Sequence, residues 1–205
     1  LKGKSKLHYE VADSEKEDFF DFIEGGFLAL NDIEEIKPVL EVVACSEKLM
    51  LIFDFHFNSV DRMDPTKTDG TKGVTYDKKG ELYFAVKGLT GDQNESDYFG
   101  ALGTIAHEMC HMAMNLIYDN DCKPYAKGDT KTKEEFEKII NLCKGKKDKE
   151  EIIAKVFENY DEDEHIKELI VRVSQILAVY RNRESELDEK KEIFKELFEF
   201  YNFLI

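Results

Sequence analysis

Apolar residues change their period several times along this chain, and each change marks an element. Between Lys48 and Asn58, residues Leu51, Phe53, Phe55 and Phe57 recur at every second position, the spacing of a strand with one face in a core. His56 falls on the opposite face and reads as a local hydrogen-bond partner. Val74-Thr75-Tyr76 and Leu82-Tyr83-Phe84-Ala85-Val86, joined across Asp77-Lys78-Lys79-Gly80, predict a β-hairpin, and residues 6–11 alternate as a further short strand. Ser14-Glu15-Lys16-Glu17 is a capping box that opens a helix to about Leu30, which Gly25-Gly26 should weaken or break. A second short helix is expected from Pro38 to Ala44, and Asp61 to Gly73 is a polar loop.

The period then turns helical. Leu102, Ile105, Met109, Met112, Ala113 and Leu116 recur at threes and fours, one apolar stripe on a helix that Ser96-Asp97 would cap. After a turn over Asp119 to Tyr125, helical segments follow near 132–144, 148–159, 163–181 and 186–203. Phe194, Leu197, Phe198, Tyr201 and Leu204 give the last one a heavy apolar face that should dock onto the domain. The pattern predicts an α+β fold: one domain over 1–205, with an α/β lobe at 1–118 built on a small, mostly antiparallel sheet and a helical lobe at 119–205.

Composition narrows this further. A chain of 205 residues, 42% of them hydrophobic, can bury a sizeable core, and no apolar run approaches the ~20 residues a membrane span needs. Lys+Arg number 29 against 44 Asp+Glu, a formal charge of −15 that repels phosphate backbones and anionic lipid and favours basic or extended neutral peptides. Cys45, Cys110, Cys122 and Cys143 show no Cys-x-x-Cys spacing, which argues against a zinc ribbon and favours a reduced, intracellular setting, although Cys122 and Cys143 could pair under oxidising conditions. Cys110 reads as a small buried filler. The chain begins at Leu1 without a signal-like stretch, as an excised or processed segment would, so targeting information can lie outside it.

The chemistry concentrates in His107-Glu108-Met109-Cys110-His111. Histidines four apart on a helix stand nearly above one another, so both rings reach one metal ion, and the intervening glutamate is placed beside its water as a general base. His107 and His111 project from nearly the opposite side of the apolar stripe, where packing alone would not put them. A zinc-dependent peptide hydrolase with a peptide or protein substrate is the reading this motif supports.

Strands and a hairpin, the motif helix, then a helical lobe: in this order, from about Lys48 to Tyr180, the chain resembles the zincin metallopeptidases, on the strength of His107, Glu108 and His111. The resemblance implies an antiparallel edge strand just before the motif helix, at Glu81 to Val86, and a third ligand. Met114 and Ile117 stand where the metzincin subgroup carries glycine and histidine, so the likeness is to gluzincins, which recruit a glutamate from a later helix. Glu168 is the best match, with Glu164 and the acidic turn Asp119/Asp121 as substitutes. Ile166, Leu169, Ile170, Val173 and Leu177 form that helix's apolar face, while His165, Glu168, Arg172 and Gln175 gather on the other side.

His165 and Arg172 are then the expected oxyanion donors, beside zinc held by His107, His111 and Glu168, and Glu108 as base. Ile105 to His111 with Ala113 is also similar to the motif helix of SprT-like proteases, which cleave proteins crosslinked to DNA. That family draws a third histidine from a segment shortly downstream, and Asp119 to Lys127 holds none. Two non-enzymatic readings accompany these: a catalytically inactive metal-binding module on a zincin fold, and an acidic protein-interaction domain.

Overall fold

The computed structural model describes residues 3–6, 13–46, 49–55, 73–76, 81–86, 95–117 and 130–205. The expected strand at 6–11, His56, the loop 61–73, the turn 119–125 and Cys122 lie largely or wholly outside them.

Strand β1 (Gly3–Lys6) leads to helices α1 (Asp13–Asn31) and α2 (Lys37–Ala44), then to strands β2 (Met50–Asp54), β3 (Gly73–Tyr76) and β4 (Glu81–Ala85). Among the described residues, helices α3 (Glu95–Ile117), α4 (Thr130–Gly145), α5 (Glu151–Asn159), α6 (His165–Tyr180), α7 (Glu184–Ile193) and α8 (Lys195–Leu204) follow in an α+β arrangement, with a 3-10 turn at Lys147–Lys149. Helix α3 starts at Glu95, so Ser96 and Asp97 lie inside its first turn rather than before it.

The four strands form one sheet in the order β1-β2-β4-β3. β1–β2 and β2–β4 are parallel, and only β3–β4 is antiparallel, so the expected mostly antiparallel sheet is corrected to a mixed one. Its cause is connectivity: α1 and α2 separate β1 from β2, and a helical crossover returns the chain in the same direction. The edge assignment changes too. β4 lies between β2 and β3, and β3 takes the edge next to it. Leu82, Tyr83, Phe84 and Ala85 are all buried, the continuous apolar run of a strand covered on both faces.

The hairpin itself forms as predicted, with Thr75 opposite Leu82. Leu51 and Phe53 of β2 and Phe55 just after it enter the main core, where the Phe19 ring of α1 meets those of Phe53 and Phe55 edge-on at 5.1 Å. Ile52 turns the other way, onto Tyr83 and Ala85.

Helix α1 runs unbroken through Gly25-Gly26, contrary to expectation. Glycine costs a helix about 1 kcal/mol against alanine, but a Cβ on Gly26 would stand 2.8 Å from Leu102 Cδ2. The bare backbone is what lets α1 lie against α3. The last expected helix, 186–203, is instead two: Phe194 is buried at φ −110°, ψ 33°, and Lys146 Nζ donates to the Ile193 carbonyl beside the break at 2.7 Å. No residue of α7 is fully buried, Leu187 and Ile193 only packing against the core's edge, whereas α8 buries Leu197, Phe198 and Tyr201, so the chain must rotate between them.

One cluster of buried side chains reaches from Phe19 to Tyr201, and α6 lies within it. The Ser174 hydroxyl of α6 donates to Tyr201 Oη at 2.8 Å, and Tyr201 donates onward to the Glu35 carbonyl at 3.1 Å, tying α6 to α8 and to the turn after α1. Cys110 is buried as expected, and Cys143 is a free buried thiol. Among the described residues no helix is long and apolar enough to cross a membrane.

Candidate metal centre

Helix α3 carries His107 and His111 one turn apart, and their rings stand 4.7 Å between centroids at 78° to each other. Their Nε2 atoms are 3.1 Å apart. The side of α3 that faces away from the sheet is covered by α6, which brings Glu168 onto the same point: Oε2 lies 3.7 Å from His107 Nε2 and Oε1 3.4 Å from His111 Nε2. All three are buried, at 7%, 9% and 3% exposure. Thus the polar side of α6, which could have been a solvated stripe, is buried at His165 and Glu168 and half-buried at Arg172 and Gln175.

Close helix packing makes this convergence possible. Gly103 lies one turn before His107, and a Cβ there would fall 2.8 Å from Val179 Cγ2 and 3.1 Å from Gln175 Cγ. Gly103 therefore meets the far end of α6 while His107 and His111 meet its beginning, so the two helices run in opposite directions. A side chain at 103 would hold them apart.

Three lone-pair donors turned onto one buried point repel one another unless a cation or shared proton sits among them. Four-coordinate tetrahedral binding with bonds of about 2.0–2.1 Å places neighbouring donors about 3.3 Å apart. The observed separations, 3.1, 3.4 and 3.7 Å, bracket that value. Two imidazoles and one carboxylate also form a ligand set that leaves one tetrahedral position to solvent or substrate. His107, His111 and Glu168 could hold a metal ion. Binding through Nε2 requires both rings in the Nδ1–H tautomer.

Glu108, also buried, points from α3 to the sheet rather than to α6. The Thr75 hydroxyl of β3 donates to its Oε2 at 2.6 Å and lies 3.2 Å from its backbone carbonyl oxygen. So the motif helix is clamped between a strand that holds the glutamate and a helix that completes the histidine pair.

The remaining expected residues sit beside this centre rather than in the triad. His165 is buried, its Nε2 3.1 Å from the Tyr160 carbonyl and its ring edge-on to Phe157 at 5.0 Å. Arg172, one turn beyond Glu168, donates from Nη1 to Gln175 Oε1 at 2.5 Å and from Nη2 to Tyr160 Oη at 3.3 Å. Glu164 precedes α6 as its N-cap and is outside the triad, and Asp119 and Asp121 lie outside the described residues.

Pattern reading missed three residues here. Thr75 is an ordinary strand threonine by sequence, and Gly103 an ordinary glycine inside a helical run. Asn115, a buried polar residue one turn after His111, had a usable signal: it continues the four-residue spacing 107, 111, 115. No family model matches the chain, and neither does any curated protein or solved structure.

Proposed function

We propose that this protein is a zinc-dependent peptide hydrolase of the His-Glu-x-x-His class, with a gluzincin-like ligand set of His107, His111 and Glu168 and with Glu108 as general base. The observation that carries the reading is the convergence of a later-helix glutamate on the histidine pair, 3.4 and 3.7 Å from the two Nε2 atoms. Sequence alone made that glutamate the best candidate, with Glu164 and Asp119/Asp121 as substitutes. The zincin-like assignment rests on this site and on the order hairpin, motif helix, glutamate helix. It does not rest on the sheet, which is mixed.

When bound, zinc supplies Lewis-acid polarisation of a peptide carbonyl and an acidified water. The chain's own residues do the rest. Glu108 takes a proton from the attacking water as the new C–O bond forms, then delivers it to the amine as the C–N bond breaks. Arg172 is the better placed of the two expected oxyanion donors: its partners Gln175 and Tyr160 are neutral, and among the described residues no carboxylate lies within 4 Å to neutralise it. His165, bonded to the Tyr160 carbonyl, instead braces the turn from α5 into α6. The −15 charge favours basic or neutral peptides as substrates and opposes a DNA-associated role of the SprT type.

Metal analysis of the purified full chain, followed by digestion of a peptide library with and without chelator, tests the proposal. Wild type should carry about one zinc per chain. Glu108→Gln should keep the metal and lose at least ~100-fold in turnover, the scale of a general base. A metal-free wild type in zinc-replete medium, or a Glu108→Gln variant that cleaves as well as wild type, would sink it. Metal retention with no cleavage by wild type would leave the inactive metal-binding module instead.

A further inference from the structure

From the contact between β3 and the motif helix we infer that Thr75 is a positioning residue for Glu108, fixing the orientation in which its carboxylate serves as the base. The inference rests on the reading of Glu108 as general base. Thr75 lies within β3, opposite Leu82, with Val74 and Tyr76 before and after it also paired to β4, so its backbone is fixed. Its branched side chain has few rotamers available in a strand. The hydroxyl carries one proton, and the 2.6 Å separation assigns it to Glu108 Oε2 rather than to the carbonyl oxygen at 3.2 Å.

A hydrogen bond to a carboxylate is charge-assisted and strong, so it orders a side chain that otherwise swings about three torsions. With Oε2 held by the strand, the carboxylate keeps one orientation in which to take a proton from water. The same residue touches the Glu108 side chain and lies near its main chain, so the edge strand and the base move together. A mere packing threonine would need no hydroxyl in either place.

The test compares Thr75→Val, which keeps the shape and removes the hydroxyl, with Thr75→Ala and Thr75→Ser. In the chelator-treated full chain, a double-mutant unfolding cycle of Thr75→Val or Thr75→Ala with Glu108→Ala should give a coupling on the order of tenfold in the unfolding constant, as expected for a hydrogen bond to a charged acceptor. Coupling within about twofold overturns the contact. In the zinc-loaded chain, both hydroxyl-less variants should keep full metal content and a KM near wild type on a fluorogenic peptide while kcat falls roughly 10- to 100-fold, part of a general base's contribution. Thr75→Ser should recover most of that loss.

Wild-type turnover in the hydroxyl-less variants, or an equal loss in Thr75→Ser, refutes the positioning role. If wild type cleaves no peptide at all, the hydrolase reading fails, and the unfolding cycle alone then decides whether the hydroxyl orders Glu108.

Discussion

Replacing Gly103 with alanine adds one methyl group at the crossing of α3 and α6 and tests whether their close approach is what assembles the metal centre. The new Cβ would lie 2.8 Å from Val179 Cγ2 and 3.1 Å from Gln175 Cγ. Carbon atoms normally rest about 3.5–4.0 Å apart, so relief requires a shift of roughly 0.7 to 1.2 Å. Gln175 can swing its stem, but valine is nearly locked in a helix, so the helices must separate. Glu168 then recedes from donors it now meets at 3.4 and 3.7 Å, whereas metal bonds tolerate only about 0.2 Å of error.

Metal affinity should fall about 10- to 100-fold, the scale seen when support around a metal ligand is lost. Overpacking should cost about 1–3 kcal/mol of stability, offset by about 1 kcal/mol from alanine's better helix propensity. Competition against a chromophoric chelator measures the affinity, and denaturant melts of the metal-free chain measure the stability. Adding Val179→Ala removes the nearest obstacle and should restore most of the binding. Affinity within twofold of wild type for Gly103→Ala, or no recovery in the double variant, would refute the account.

Removing Glu168 should separate metal binding from folding. Glu168→Ala takes a buried carboxylate from between two histidines, so the metal-free chain should melt no lower than wild type, and the stabilisation by zinc, about 4 kcal/mol at a thousandfold excess over Kd, should vanish in thermal scans. Alkaline pH should unfold the protein over a definite window. Burial pushes the Cys143 thiol up from 9.0 to about 12, burial with nearby Glu150 moves the Tyr180 hydroxyl from 10.0 to about 12, and burial puts Tyr201 well above its usual value. Each folded pKa exceeds the unfolded one, so this stability is complete below about pH 9 and drains away as pH climbs towards 12. Urea midpoints measured from pH 8 upward should therefore decline beyond pH 9, and a flat profile to pH 11 would contradict the burial of these groups.

Much of this molecule was legible in the linear pattern because short-range physics governs it. The two-residue period of Leu51, Phe53 and Phe55, the pairing of β3 with β4, and the helical stripe from Leu102 to Ala113 all report which side of a local element meets a core, although Leu116 at the end of the expected stripe is exposed. His107 and His111 belong to the same class, since four residues on a helix bring two side chains together in any fold.

Long-range packing decided the rest. Pattern could not say that β4 is interior and β3 the edge, because order within a sheet depends on crossovers rather than on the strand's own residues. It could not keep α1 whole through Gly25-Gly26, because the compensating contact is with Leu102, far along the chain. Glu168 was the best match for a third ligand by resemblance, but its meeting with the histidines depends on α6 crossing α3 in the opposite direction, at a distance that Gly103 permits. Thr75 had no signal at all before β3 was laid against the motif helix. A helix dictates the spacing of its own side chains, but which carboxylate or hydroxyl arrives from elsewhere depends on how the whole core closes.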